Sequence, residues 1–322
     1  MKILITGATG LFGSYLVKKF AQAGDIFGLK RNSSSEKLLG DDASKVTWID
    51  GNILDPVSLE DAMEGIDMVI HVAGLVSFDP KDEDKLMDVN VSGTANLVNA
   101  MLSKNVKKLI HVSSVSALGR TEDTTTYDES SKWTASKYNT PYAISKYRAE
   151  LEVWRGVQEG LQALVIMPSV ILGKISDERS STQIYHYVLE ENKYYPQGTV
   201  NYIDIRDAVE ITYQLFEKEK WGERFILNAD TVLYKDFFEK MAKAFGKKAP
   251  TKKLRYFQLR IALLIVGIAR KLKLTKSPLN KQTAMISQLE IYLENKKVNS
   301  LLEYSYIPLE ETLRWAKSNE SQ

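Results

Sequence analysis

Tyr142 and Lys146, in the run Tyr142-Ala143-Ile144-Ser145-Lys146, stand four residues apart and therefore share a helix face. A free phenol ionises near pH ~10, an adjacent ammonium favours phenolate, and the first turn of a helix adds the positive end of its dipole. Such a tyrosine is expected to exchange a proton with a carbonyl or hydroxyl oxygen near neutrality, and the lysine has a second task in holding ribose hydroxyls. The same spacing recurs at Tyr15 and Lys19 and at Tyr292 and Lys296, so context decides. Tyr142 alone follows an apolar run ending in hydroxyls, Val112-Ser113-Ser114. Ligands of open α/β sheets sit beyond the carboxyl ends of strands, although serines there can also merely cap strand backbone.

A second constellation lies at the start of the chain, where Lys2-Ile3-Leu4-Ile5-Thr6 runs into Gly7-Ala8-Thr9-Gly10-Leu11-Phe12-Gly13. A strand, glycines spaced G-x-x-G-x-x-G and an amphipathic helix (Leu11, Tyr15, Leu16, Phe20) form a dinucleotide-binding pattern. The first glycine permits the sharp exit from the strand. The second lets backbone approach a pyrophosphate, and the third lets helix pack on strand, with the helix N-terminus facing the phosphates.

Strand and helix signals alternate from there, which predicts parallel βαβ units. Strands are expected at Asp25–Lys30, Lys45–Asp50, Asp67–Val72, Lys107–Ser113 and Gln162–Met167, with a long helix over Glu83–Ser103. Thr140 as cap, Pro141 at the first helical position and Gly160 as terminator predict a helix carrying Tyr142 and Lys146. After Gly173 the pattern changes to loops, aromatic clusters and separated helices, expected at Tyr234–Phe245, Tyr256–Leu272 and Pro308–Ser318. Phe225–Asn228 is expected to return a strand to the sheet. The fold class is therefore α/β: a doubly wound parallel sheet over residues 1–173, and a smaller, mostly helical substrate-covering lobe over 174–322 whose segment at about 200–230 returns to the first domain.

At 322 residues the chain can bury a large core. It has no cysteine, so disulfides, thiol nucleophiles and Fe–S ligation are excluded. Of its three histidines, His71, His111 and His186, the first two sit inside apolar runs that read as strands, where packing or hydrogen bonding is the usual role, and no metal is expected. A net charge of +2 without a basic stripe gives nucleic-acid binding no support. No signal peptide or membrane-spanning run is read in the sequence, and a cytoplasmic location is expected. The segment Leu254–Leu274 combines apolar residues with basic flanks; it fits either a helix packed on the lobe or one lying on a membrane surface.

These residues resemble the extended (atypical) short-chain dehydrogenase/reductases, of the NAD-dependent epimerase/dehydratase superfamily, over essentially the whole chain. Gly7, Thr9, Gly10, Leu11, Phe12 and Gly13 look like the family's cofactor loop, and Asn52-Ile53 fills the place of its Asp-hydrophobe pair near adenine. His71-Val72-Ala73-Gly74 is similar to the segment beside the ribose, with Ala73 and Gly74 against the cofactor, and Val89-Asn90-Val91-Ser92-Gly93-Thr94 to the following helix. The resemblance implies Ser114, Tyr142 and Lys146 as the catalytic triad. It places Ser113 beside the cofactor and Pro168, Ser169 and Val170 along the nicotinamide; which of Ser113 and Ser114 faces substrate stays open.

Departures from the family pattern narrow the reaction. Ser114-Val115-Ser116 replaces the threonine-acid-acid run of the sugar-nucleotide dehydratases, so elimination lacks its acid and base. Val170 stands where epimerases place a diphosphate-binding asparagine. That stretch and Tyr202–Ala208 look more like the dihydroflavonol reductase and 3β-hydroxysteroid dehydrogenase branch. The implied reaction is reversible hydride transfer between nicotinamide and a small ketone or aldehyde, or the corresponding secondary alcohol. A nucleotide-sugar epimerase with bound NAD is the alternative, kept open by residual polar content such as Arg206. The second strand ends without an acid for a ribose 2′-hydroxyl; Arg31, with Ser33 as a further donor, instead suits the 2′-phosphate of NADP. The family resemblance also implies a homodimer, paired through the helices at Glu83–Ser103 and Thr140–Glu159.

Overall fold

The computed structural model describes residues 1–175, 183–254 and 281–318. Seven short apolar runs become parallel strands because each is covered on both faces and so needs no polar side. They are β1 (Lys2–Thr6), β2 (Asp25–Lys30), β3 (Val46–Asp50), β4 (Met68–His71), β5 (Lys108–Val112), β7 (Gln162–Pro168) and β11 (Glu223–Leu227), in the order β11-β7-β5-β4-β1-β2-β3. The intervening β6 (Thr126–Tyr127), β8 (Val170–Leu172), β9 (Tyr194–Tyr195) and β10 (Thr199–Asp204) lie outside this sheet. The strand order reverses between β1 and β4, which opens the crevice where ligands of doubly wound sheets bind.

Helix α1 (Leu11–Phe20) follows β1. Gly7 turns the chain at φ +73°, and a Cβ there would lie 2.6 Å from the backbone nitrogen of Ala73. A Cβ at Gly13 would lie 2.1 Å from the carbonyl oxygen of Gly7, so neither position accepts a side chain. After α2 (Pro56–Ala62), the predicted long helix is present as α3 (Glu83–Leu86), a π-helical stretch Met87–Ser92 and α4 (Gly93–Ser103). The π-helical stretch, which apolar spacing cannot signal, carries Asn90. Helix α5 (Pro141–Gln158) begins as expected: Thr140 Oγ1 accepts from the Ala143 amide at 3.1 Å. Gly160, at φ +110°, follows its end. Gly156 lets α5 approach α4, since a Cβ there would meet Val98 Cγ1 at 2.7 Å.

The second half holds more strand than its sequence pattern suggests. Strands β8, β10 and β12 (Asp230–Leu233) form a small mixed sheet, and β10 leads directly into an amphipathic helix at Ile205–Glu217 that packs on α1. Three-residue strands such as β8 leave too short a repeat to read. Beyond them the helix at Tyr234–Phe245 and the one at Leu309–Lys317 stand close to expectation. Around these helices a separate core collects Tyr185, Tyr202, Phe237 and Phe245. Tyr185 is fully buried and donates to the Gly173 carbonyl at 3.0 Å, while Tyr187 stacks on Phe238. The helix expected at Tyr256–Leu272 lies outside the described residues. Among the described residues no helix is long and apolar enough to cross a membrane.

Candidate active site

The carboxyl ends of β1, β2, β4, β5 and β7 open into one cleft of about 1270 Å³. That exceeds the ~300–1,000 Å³ typical of a single small-ligand pocket, leaving room for a dinucleotide and a second molecule. Every residue singled out from the sequence as catalytic or cofactor-binding lines this cleft except Ser33. A turn closed by the Ser34 amide on the Arg31 carbonyl (2.8 Å) leaves Ser33 exposed and puts Ser34 on the wall instead.

At one end the glycine loop supplies an anion-binding wall. Gly10 caps α1 without a side chain, so the first amides of the helix keep their hydrogen-bonding capacity toward the cleft. Asn52 is less free than its place in the motif suggests, because its Oδ1 accepts from the Leu54 amide at 3.1 Å. At the end of β2 the two neighbouring cations differ. Lys30 is paired with Glu36 and lies over the Trp48 ring, whereas the exposed Arg31 side chain has no partner among the described residues. Further along, the buried Ser169 hydroxyl has no hydrogen-bond partner among the described residues. The glycine cradle that a Cβ would fill and this orphaned hydroxyl both fit a bound nicotinamide dinucleotide.

Tyr142, Lys146 and Ser114 meet on the opposite wall. Ser114 leaves β5 in extended conformation and caps a short 3-10 turn, accepting from the Ser116 amide at 3.2 Å. Its side chain also lies near the Tyr142 phenol and lowers the phenol's pKa, but burial outweighs this and leaves the group above its usual 10.0. The expected phenolate near neutrality is therefore corrected: Tyr142 holds its proton. The Lys146 ammonium donates to the Val112 carbonyl at 2.7 Å, and burial pushes it down to about 8, with Glu150 opposing. Phe78 stands edge-on to the phenol ring at 5.8 Å.

Ser113 points elsewhere, donating to Glu150 Oε2 at 2.9 Å, which leaves Ser114 as the serine beside Tyr142. Glu150 went unremarked in the sequence, although it lies four residues beyond Lys146 on the same stripe. It is 3% exposed and accepts from Trp154 (3.1 Å) and Arg224 (3.0 Å) as well as Ser113. Asn90 locks the loop after β4 to α5: its Oδ1 accepts from the Leu75 amide (2.7 Å), and its Nδ2 donates to the Leu75 carbonyl (3.0 Å) and to Ser145 Oγ (2.9 Å). His71 is clamped between the Thr6 and Thr94 hydroxyls and pushed down to about 3 by burial, so it stays neutral. Tyr15 packs edge-on to Trp315, and Tyr292 is exposed; neither lines the cleft.

Residues 3–228 match the family model described as NAD dependent epimerase/dehydratase family. Sterol demethylase protein B of Methylococcus capsulatus is 28% identical over 235 residues, covering 71% of this chain and 70% of that protein. Cinnamoyl-CoA reductase 1 of Petunia hybrida is 28% identical over 268 residues, covering 78% and 79%. The crystal structure of gox2253 superposes with a TM-score of 0.82 at 28% identity, covering 98% of this chain and 96% of that one. The matched span runs from the glycine loop through the wall that carries Tyr142 and Lys146 to the end of β11. The chain thus belongs to the NAD-dependent epimerase/dehydratase family and is an NAD(P)-dependent enzyme of the extended short-chain dehydrogenase/reductase type.

Proposed function

We propose that the protein is an NADP(H)-dependent oxidoreductase that interconverts a ketone or aldehyde and its alcohol, with Ser114, Tyr142 and Lys146 as catalytic residues. The observation that carries this reading is that Ser114, Tyr142 and Lys146 line the same cleft as the glycine loop, with Ser114 close enough to the phenol to act on its pKa. The bound nicotinamide supplies the hydride. Ser114 donates to the substrate oxygen and orients it. Tyr142, kept protonated by burial, delivers its proton to that oxygen as charge develops there. Lys146 holds positive charge beneath the phenol as the proton leaves, and binds ribose. Cinnamoyl-CoA reductase among the relatives supports a reductase. Arg206, which kept the epimerase alternative open, forms a two-pronged ion pair with the buried Asp204 and lies outside the cleft, so it is not placed to hold a diphosphate. Oxidation of NADPH on a panel of ketones, aldehydes and nucleotide sugars tests the assignment; turnover of nucleotide sugars alone would contradict it.

The preference for NADP rests on Arg31, a cation with no partner among the described residues that follows a strand whose carboxyl end carries no acid. NADPH is expected to bind more tightly than NADH, and Arg31→Ala to remove about 1.5–3 kcal/mol of that difference, as for a charge-assisted contact. Fluorescence titration of both cofactors reads it, and equal affinities in the unaltered protein would refute it. The location we propose is the cytoplasm, and the assembly a homodimer paired through α4 and α5, where Leu151 is 47% exposed. Light scattering at micromolar concentration is expected to return the mass of two chains; a single-chain mass would exclude the pairing.

A further inference from the structure

The reductase reading leaves one charged group of the cleft without a task. Arg120 follows the 3-10 turn that starts at Ser114, after Gly119 at φ +74°. Its backbone is clamped on both sides by the loop that leads into α5. The amide donates to Asn139 Oδ1 at 2.8 Å, and the carbonyl accepts from the Ser136 hydroxyl. This clamp ties the position of Arg120 to that of Tyr142 three residues beyond Asn139. The side chain lines the cleft, with the phenols of Tyr127 and Tyr234 close enough to act on its charge. Its guanidinium makes no ion pair and no hydrogen bond among the described residues. Burial works against its charge, in a wall where the cleft's one described acid is Asp88.

The cofactor's phosphates do not account for it. Arg31 ends β2 and Arg120 follows β5, and these strands stand three places apart in the sheet, about 14 Å at the ~4.8 Å spacing of neighbouring strands. The anion-binding turn of α1 follows β1, on the Arg31 side of that span. Arg120 instead shares its part of the cleft with Tyr234 of the second half of the chain, at the start of the helix Tyr234–Phe245, and with Tyr127, whose strand β6 pairs with Tyr292–Leu293 of that half.

We propose that the carbonyl substrate carries an oxyanion, a carboxylate or a phosphate, which Arg120 binds while its carbonyl lies at Ser114 and Tyr142. A guanidinium offers two parallel donors to either anion, and in a partly desolvated wall such a pair is both strong and selective against neutral analogues. The Tyr127 hydroxyl, which accepts from the Thr121 amide at 3.0 Å, keeps its own proton to donate to the same anion. This assignment rests on the reductase reading for the position of the carbonyl, but not for the binding of the anion.

The test compares 4-carboxybenzaldehyde and 4-formylphenyl phosphate with the neutral methyl 4-formylbenzoate, in unaltered protein, Arg120→Met and Arg120→Lys. NADPH binding verifies that each variant is folded. In the unaltered protein kcat/KM is expected to favour one anionic aldehyde over the ester by 10- to 100-fold, and the preferred member of the two identifies the anion. Arg120→Met is expected to bring that ratio to about one. Arg120→Lys is expected to retain part of it, since the charge stays while the fork is lost. Calorimetric binding of terephthalate and phenyl phosphate to the NADP⁺ complex provides a readout without turnover. Binding that Arg120→Met abolishes supports the anion site even if no aldehyde is reduced, in which case the reductase reading is what fails. Reduction of the ester with no preference for either anion, or a preference that Arg120→Met leaves intact, overturns the proposal.

Discussion

Tyr142→Phe is expected to lower turnover by about 10²–10⁴ while leaving NADPH affinity within about twofold, because the ring and its packing against Phe78 stay and only the transferable proton is lost. The pH profile separates this residue from its neighbour. Burial holds the Tyr142 phenol above 10.0, so the phenol does not set the alkaline limb of the reduction. Lys146, pushed down to about 8, does. Below about pH 8 its ammonium carries charge, and as pH rises through that value the charge is lost and the rate falls with it. The limb is therefore expected to survive, at low amplitude, in Tyr142→Phe and to vanish in Lys146→Met. Turnover of Tyr142→Phe at the unaltered rate on a carbonyl substrate would remove the tyrosine from the mechanism. A limb that disappears with Tyr142 but persists in Lys146→Met would exchange the two roles.

The largest stability effect is expected at a residue that touches no substrate. Glu150→Ala leaves Arg224 without the carboxylate that balances it, and strips the Ser113 hydroxyl and the Trp154 indole of their acceptor. Removing one partner of a buried pair costs about 3 kcal/mol or more, and urea unfolding reads it directly. Arg224 also donates to the carbonyls of Glu129 (2.8 Å) and Ser131 (3.0 Å), so the double variant Glu150→Met/Arg224→Met is expected to recover part of the loss and not all of it. Glu150→Gln keeps hydrogen bonds but removes the charge that supports the Lys146 ammonium, and is expected to move the alkaline limb below about pH 8. An unfolding free energy unchanged in Glu150→Ala, together with an unmoved limb in Glu150→Gln, would show that Glu150 neither holds Arg224 nor acts on Lys146.

The parts of the site that were legible in the sequence are those built by contiguous residues. The glycine loop, the Thr140 cap and Pro141, and the Tyr142–Lys146 spacing are local features whose geometry follows from backbone sterics and helical period alone. Pairings across the chain were not legible. Ser113 and Ser114 are neighbours in sequence, and their different surroundings, Ser113 bonded to Glu150 and Ser114 near Tyr142, depend on how β5 and α5 sit together. The same holds for Ser33, which a local turn directs outward and whose neighbour Ser34 takes the wall. Strand β8 and its partners escaped because three-residue runs carry no readable alternation.

By itself the sequence determined the doubly wound α/β architecture, the end of the sheet at which the cofactor loop lies, and the helix face bearing Tyr142 and Lys146, since each follows from the period and identity of neighbouring residues. Only the tertiary structure decided the ionisation of that face. A pKa responds to desolvation and to charges brought together through space, and it was the burial of the phenol that reversed the expected phenolate, while burial also lowered the pKa of the Lys146 ammonium. The same is true of Arg120, which five residues of chain separate from Ser114 and which nothing in its sequence context marks. It becomes conspicuous only once folding has lined one cleft with it, Ser114 and Tyr142, and has supplied it with no carboxylate among the described residues.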